Sequence, residues 1–232
     1  MQTLKKITLA VAACALSSLA LADVNDNPPT PTYEHFGTAV APNGFGGTGI
    51  SMDAVATANF ANGAGTLYLS ATPRYDPPLL TNNGAGVFGA TAGTSHHLPD
   101  FGFDNLALWN FDWDVKRVEG YTYILSIDTN SAAGTLFSAY SQFELGADAV
   151  FFDSSNLGFF SAGFNPNVGG EYGFALQAFS TNTAGALVLE ATTSILVNVA
   201  GPDGTVPEPA SIALVGLALG AAGFASRRRK AA

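Results

Sequence analysis

Residues 106–115 read LALWNFDWDV. Along this stretch Trp109, Phe111, Trp113 and Val115 alternate with Asn110, Asp112 and Asp114. A β-strand sends successive side chains to opposite faces, so the spacing predicts a strand with one aromatic face and one acidic face. Slipping the register by one residue would turn the acids into the core, which pins the pairing. The same period of two recurs on both sides. Tyr121, Tyr123, Leu125 and Ile127 share a face in YTYILSID, and Tyr172, Phe174, Leu176 and Ala178 share one in EYGFALQAF. Ile195, Val197 and Val199 do so in SILVNV. Breaks rich in Gly, Asn and Ser, such as DTNSAAG, FNPNVGG and STNTAG, separate these runs. Short alternating strands with such turns predict an all-β fold, an antiparallel β-sandwich. A jelly-roll variant or a barrel carries the same pattern, and periodicity does not choose between them.

The chain has 232 residues, 47% of them hydrophobic and only 12% charged. A typical charged fraction is about 25%. Such a chain is too apolar for disorder, so its polar surface is built from Ser, Thr, Asn, Gln and Gly.

The first 22 residues differ from the rest. Lys5 and Lys6 precede an apolar run over residues 7–19, and Ala20-Leu21-Ala22 forms an A-x-A cleavage site. This arrangement predicts a secretory signal peptide, cut by signal peptidase between Ala22 and Asp23. Cys14, the only cysteine, lies inside it. The exported chain would then have no disulfide, no thiolate nucleophile and no cysteine metal ligand, and must rely on its core. Residues 23–32 (DVNDNPPTPT) read as a Pro/Asn-rich arm, residues 33–199 as the sandwich passenger and residues 200–209 as a linker.

At the other end, residues 210–226 carry no charge and are rich in Ala, Leu and Gly. They predict a short transmembrane helix, near the lower limit of about 17 residues for a bilayer span. Arg227, Arg228, Arg229 and Lys230 follow it, in a basic tail over residues 227–232 that stays cytoplasmic by the positive-inside rule. Pro207-Glu208-Pro209 stands just before the helix. The three parts in this order resemble the PEP-CTERM sorting signal of Gram-negative bacteria. The resemblance implies recognition by a membrane-embedded exosortase, cleavage near Pro207, Glu208 and Pro209, and delivery to the cell surface or an exopolysaccharide matrix. The chain would pass through an inner-membrane intermediate. The two prolines keep the motif extended and outside the helix, where a protease can hold it. A plain C-terminal anchor is the competing reading. Tails of this kind are also labelled as the C-terminal domain of ice-binding proteins. The passenger's threonines form no Thr-x-Thr ladder, so ice binding is not expected of it.

Between Asp23 and Val206 only Arg74, Lys116 and Arg117 are basic, against 17 acidic residues, for a formal charge of −14. That surface repels phosphate backbones and excludes nucleic acid as a partner.

Several constellations invite a chemical reading. Gly44, Gly46 and Gly49 satisfy G-x-G-x-x-G, but no hydrophobic strand precedes and no helix pattern follows, so they read as a glycine loop. His96, His97 and Asp100 form an incomplete ligand set for zinc. Asp100, Asp104, Asp112 and Asp114 are the densest carboxylates. Asp112 and Asp114 share a strand face and are the candidate Ca²⁺ ligands; the competing reading is an acidic, solvated outer face. Trp109 and Trp113, the only tryptophans, read as a buried stripe rather than a sugar-stacking platform. No G-x-S-x-G elbow occurs, and no catalytic residue or resident cofactor is expected. The expectation is an exported surface or matrix protein with a structural or interaction role. The alternatives are a carbohydrate-binding module for the matrix polysaccharide and an extracellular hydrolase.

Overall fold

The computed structural model describes residues 30–75, 79–95, 105–128, 130–131, 141–145, 151–160 and 163–201, with the side chains of 141–144 outside that description. Two sheets make up the fold. The first contains β1 (His35–Gly37), β2 (Val55–Phe60), β3 (Gly65–Pro73), β6 (Trp109–Lys116) and β9 (Phe152–Ser155), in the order β1-β2-β3-β6-β9. The second contains β4 (Thr81–Asn82), β5 (Val87–Thr91), β7 (Thr122–Ile127), β8 (Ser141–Glu144), β10 (Gly170–Thr181) and β11 (Leu187–Ala200), in the order β4-β5-β11-β10-β7-β8. A single helical turn, α1 (Leu157–Phe160), follows β9.

The alternation in the sequence is realised in the packing. Trp109, Phe111, Trp113 and Val115 turn inward from β6 and are at most 5% exposed. Tyr172, Phe174, Leu176 and Ala178 from β10 and Ile195, Val197 and Val199 from β11 join them in one core. Phe111 stacks on Phe174 with ring centroids 4.4 Å apart and planes at 19°, and Trp109 meets the same Phe174 edge-on at 6.0 Å. Facing aromatic rings of this kind carry much of the apolar area that holds two sheets together.

One pairing departs from the antiparallel expectation. β5 runs parallel to β11, with Leu196 opposite Val87 and Ala200 opposite Thr91. Parallel neighbours need a long connection. Here the chain leaves β5 for β6 in the other sheet and reaches β11 only after β10, so local spacing carries no sign of the pairing. The arm is tied to the same strand. Thr32 N donates to Ser194 Oγ at 2.7 Å, and Ser194 N donates to Thr32 O at 2.6 Å.

Candidate functional site

The outer face of the first sheet is where sequence and structure part. By register, Tyr68, Ser70 and Thr72 of β3 stand beside Asp114, Asp112 and Asn110 of β6, and Phe152 and Ser154 of β9 beside Asp114 and Asp112. This face points away from the main core, as the alternation requires. It is nevertheless covered. The segment between β1 and β2 folds back over it and builds a second small core from Ala41, Phe45 and Val55, with Ile50, Met52 and Tyr68 packed against it. Phe45 is fully buried at the tip of a tight turn, between Gly44 and Gly46, both at positive φ. Gly44, Gly46 and Gly49 are therefore a loop; the chain runs from them into β2 with no helix between.

Asp112 and Asp114 are accordingly buried, both at 0% exposure, and the expectation of a solvated acidic face is corrected. Alternation assigns a side chain to a side of the sheet; it does not say what lies over that side. Asp114 is fully engaged. Asn43 donates its backbone N–H to Oδ2 at 2.7 Å and its Nδ2 to Oδ1 at 2.9 Å. Both oxygens hold the covering loop in place. Among the described residues there is no group of three or more His, Cys, Asp or Glu that could hold a metal.

Asp112 is less well served. Thr72 Oγ1 donates to its Oδ2 at 2.9 Å, while Oδ1 is buried with no hydrogen-bond partner among the described residues. Burial, opposed by the nearby hydroxyls of Ser154 and Thr72 and helped by the Asp153 carboxylate, pushes this carboxyl up to about 7 in all. Asp153 is also raised by burial, against the Ser154 N–H that it accepts.

A polar network adjoins Asp112. Arg74, only 5% exposed, donates from Nη1 to Asn110 Oδ1 at 3.2 Å. Asn110 Nδ2 donates to Ser154 Oγ at 3.0 Å. Asn156, fully buried, donates to Asn110 Oδ1 at 3.1 Å and to the Trp109 carbonyl at 2.7 Å, and accepts from Ala107 N at 2.9 Å. Sequence reasoning missed Arg74, Asn110 and Asn156. Only Asn110 stood in a recognisable pattern, as an outward position of β6.

Asn110 and Ser154 of this network also line a cleft of about 900 Å³ at the end of the sandwich where β3 finishes. The glycine loop, Asp53, Thr72, Tyr75, Leu80 and Asn82 are among the residues that line it as well. Tyr75 is 63% exposed and adopts φ 60°, a left-handed conformation that bulky residues avoid. The Arg74 guanidinium lies over its ring at 5.0 Å from the centroid.

Trp109 and Trp113 are 2% and 5% exposed, as the stripe predicted. His96, His97, Asp100 and Asp104 lie outside the described residues. So do Ala20 and Ala22, Pro207, Glu208 and Pro209, the span 210–226, and Arg227, Arg228, Arg229 and Lys230. Among the described residues no helix is long and apolar enough to cross a membrane.

Residues 205–230 match the family model described as the PEP-CTERM protein-sorting motif. The match marks an exported protein sorted by an exosortase. No curated protein and no solved structure matched the chain. The chain thus joins a β-rich passenger of two packed sheets to a sorting tail.

Proposed function

We propose that this is a cell-surface or extracellular-matrix protein with a structural or interaction role, which an exosortase releases from its membrane tail. The observation that supports the reading is the sorting motif over residues 205–230, which marks the β-rich passenger as exported and exosortase-sorted. The character of the passenger supports a non-catalytic role. Asp112 and Asp114, the carboxylates that suggested a hydrolase, lie side by side under a loop rather than facing each other across a cleft. Glycoside hydrolysis needs two carboxyls flanking the scissile bond, about 5–9 Å apart.

Intact-mass measurement on protein recovered from the host's surface and matrix fractions tests the reading. The expected species begins at Asp23 and ends near Pro209. A matrix form that still carries Arg227 to Lys230 would overturn exosortase release in favour of a plain anchor. Release of reducing ends from the host's own polysaccharide by the purified protein would overturn the non-catalytic role.

A further inference from the structure

We propose that the cleft at the end of β3 is a binding site for a neutral saccharide, a short segment of an extracellular polysaccharide, with Tyr75 as its stacking platform. The inference deepens the proposed function and rests on the extracellular placement given there, because that placement is what brings the polymer to the cleft.

Its size comes first. Small-ligand sites usually measure about 300–1,000 Å³; at about 900 Å³ this cleft is at the upper end, with volume for more than one sugar ring. Its chemistry comes second. Ser51 and Ser154 bring hydroxyls, Asn82 brings an amide, and Asp53 brings a carboxylate, while Thr72 and Asn110 in the lining are already bonded to Asp112, Arg74 and Asn156. Sugar hydroxyls donate and accept at once, and hydroxyls, amides and carboxylates are the side chains that match them. Among the described residues lining the cleft there is no Lys, Arg or His. With the Asp53 and Asp153 carboxylates in its lining and Arg74, 5% exposed and bonded to Asn110, outside it, the site disfavours anionic ligands such as phosphates and uronates.

The aromatic geometry completes the case. Three rings line the cleft. Phe45 and Phe88 are 0% and 2% exposed and belong to the two cores, whereas Tyr75 is 63% exposed. A phenol ring offers an apolar face to the C–H side of a sugar and a polar tip to its hydroxyls. Tyr75 does so from a fixed position. Its backbone is held at φ 60°, and Arg74, itself tied to Asn110 and packed 5.6 Å from the Phe159 ring, lies over it. Unfavourable backbone conformations of bulky residues persist where the surroundings over-determine them, and they concentrate at ligand clamps. Leu79, 77% exposed, lines the cleft too and adds apolar surface.

Calorimetric titration of the purified exported protein tests the proposal. The probes are neutral gluco-, galacto-, manno- and chito-oligosaccharides, with oligogalacturonate as an anion and spermidine as a cation. At least one neutral series should bind and oligogalacturonate should not. Tyr75→Ala should weaken binding by about tenfold, the scale of one lost stacking contact, while Tyr75→Phe retains most of it. Asp53→Asn, at an exposed position, should weaken binding without lowering the melting temperature, which keeps the test open if Tyr75→Ala folds poorly. Three results would overturn the site: no neutral saccharide bound by folded protein, spermidine bound in their place, or wild-type affinity in both Tyr75→Ala and Asp53→Asn. None of them bears on the intact-mass result, so the site and the sorting reading fail separately.

Discussion

Asn43 and Asp114 are 71 positions apart in sequence and joined by two hydrogen bonds, from the backbone N–H and the side-chain amide of Asn43 to the two oxygens of one buried carboxylate. This clasp fastens the loop before β2 to the C-terminal half of β6. A bond from a neutral donor to a buried charged acceptor contributes about 1.5–3 kcal/mol. Asn43→Ala removes one of the two and should destabilise the protein by about that amount in chemical denaturation. Tryptic cleavage should not begin in the loop, which holds no Lys or Arg. A less specific protease should instead nick the variant first between β1 and β2.

Phe111 lies between Phe174 of the opposing sheet and Trp113 of its own strand, whose ring centroid is 5.5 Å away. Truncating a buried aromatic typically costs about 3–5 kcal/mol. Phe111→Ala and Trp113→Ala should each lower thermal stability by that order, with lost near-ultraviolet circular dichroism. A Trp113→Ala protein that melts like the wild type would contradict the packing described above.

The pH dependence of stability should carry the mark of Asp112. Its carboxyl titrates near 3.8 in the unfolded chain and at about 7 in the fold. The folded state therefore keeps a proton that the unfolded chain releases. The corresponding stability is fully present below 3.8 and is lost as pH rises through about 7. Asp153, raised in the same direction, adds to the slope. Melting temperature followed upward from mildly acidic pH in high salt, which screens the general negative charge, should fall. Asp112→Asn should flatten most of that fall.

Gly65 stands opposite Phe60 in the β2–β3 pair, and a Cβ at Gly65 would land on the Phe60 ring. That ring packs in turn against Tyr121 at 5.0 Å and Tyr123 at 5.7 Å. Gly65→Ala should therefore cost about 1–3 kcal/mol through overpacking, read as a shift in the denaturant midpoint.

The inward stripes were legible because a half-buried strand writes its packing locally, in every second residue. Trp109, Phe111 and Trp113 could be assigned to the core from ten residues of sequence. The environment of Asp112 and Asp114 could not, because it depends on Phe45 and Asn43, far away in a glycine-rich loop whose composition signals only a turn. Asn156 was silent for another reason. An asparagine that bridges Ala107, Trp109 and Asn110 is indistinguishable in sequence from one in a surface turn. The cleft inherits the same obscurity, since its walls come from both sheets and from segments that local patterning leaves unassigned.

The position of β11 has a mechanical consequence. This final described strand lies inside its sheet, paired with β10 from Leu187 to Val199 and with β5 from Leu196 to Ala200. A pull directed along β11 from Ala200 makes the hydrogen bonds on both its flanks bear the load together instead of opening one after another. Where flow or a neighbouring cell drags on that end, the sandwich is loaded in shear, and rupture is governed by the rate of forced unfolding rather than by equilibrium stability.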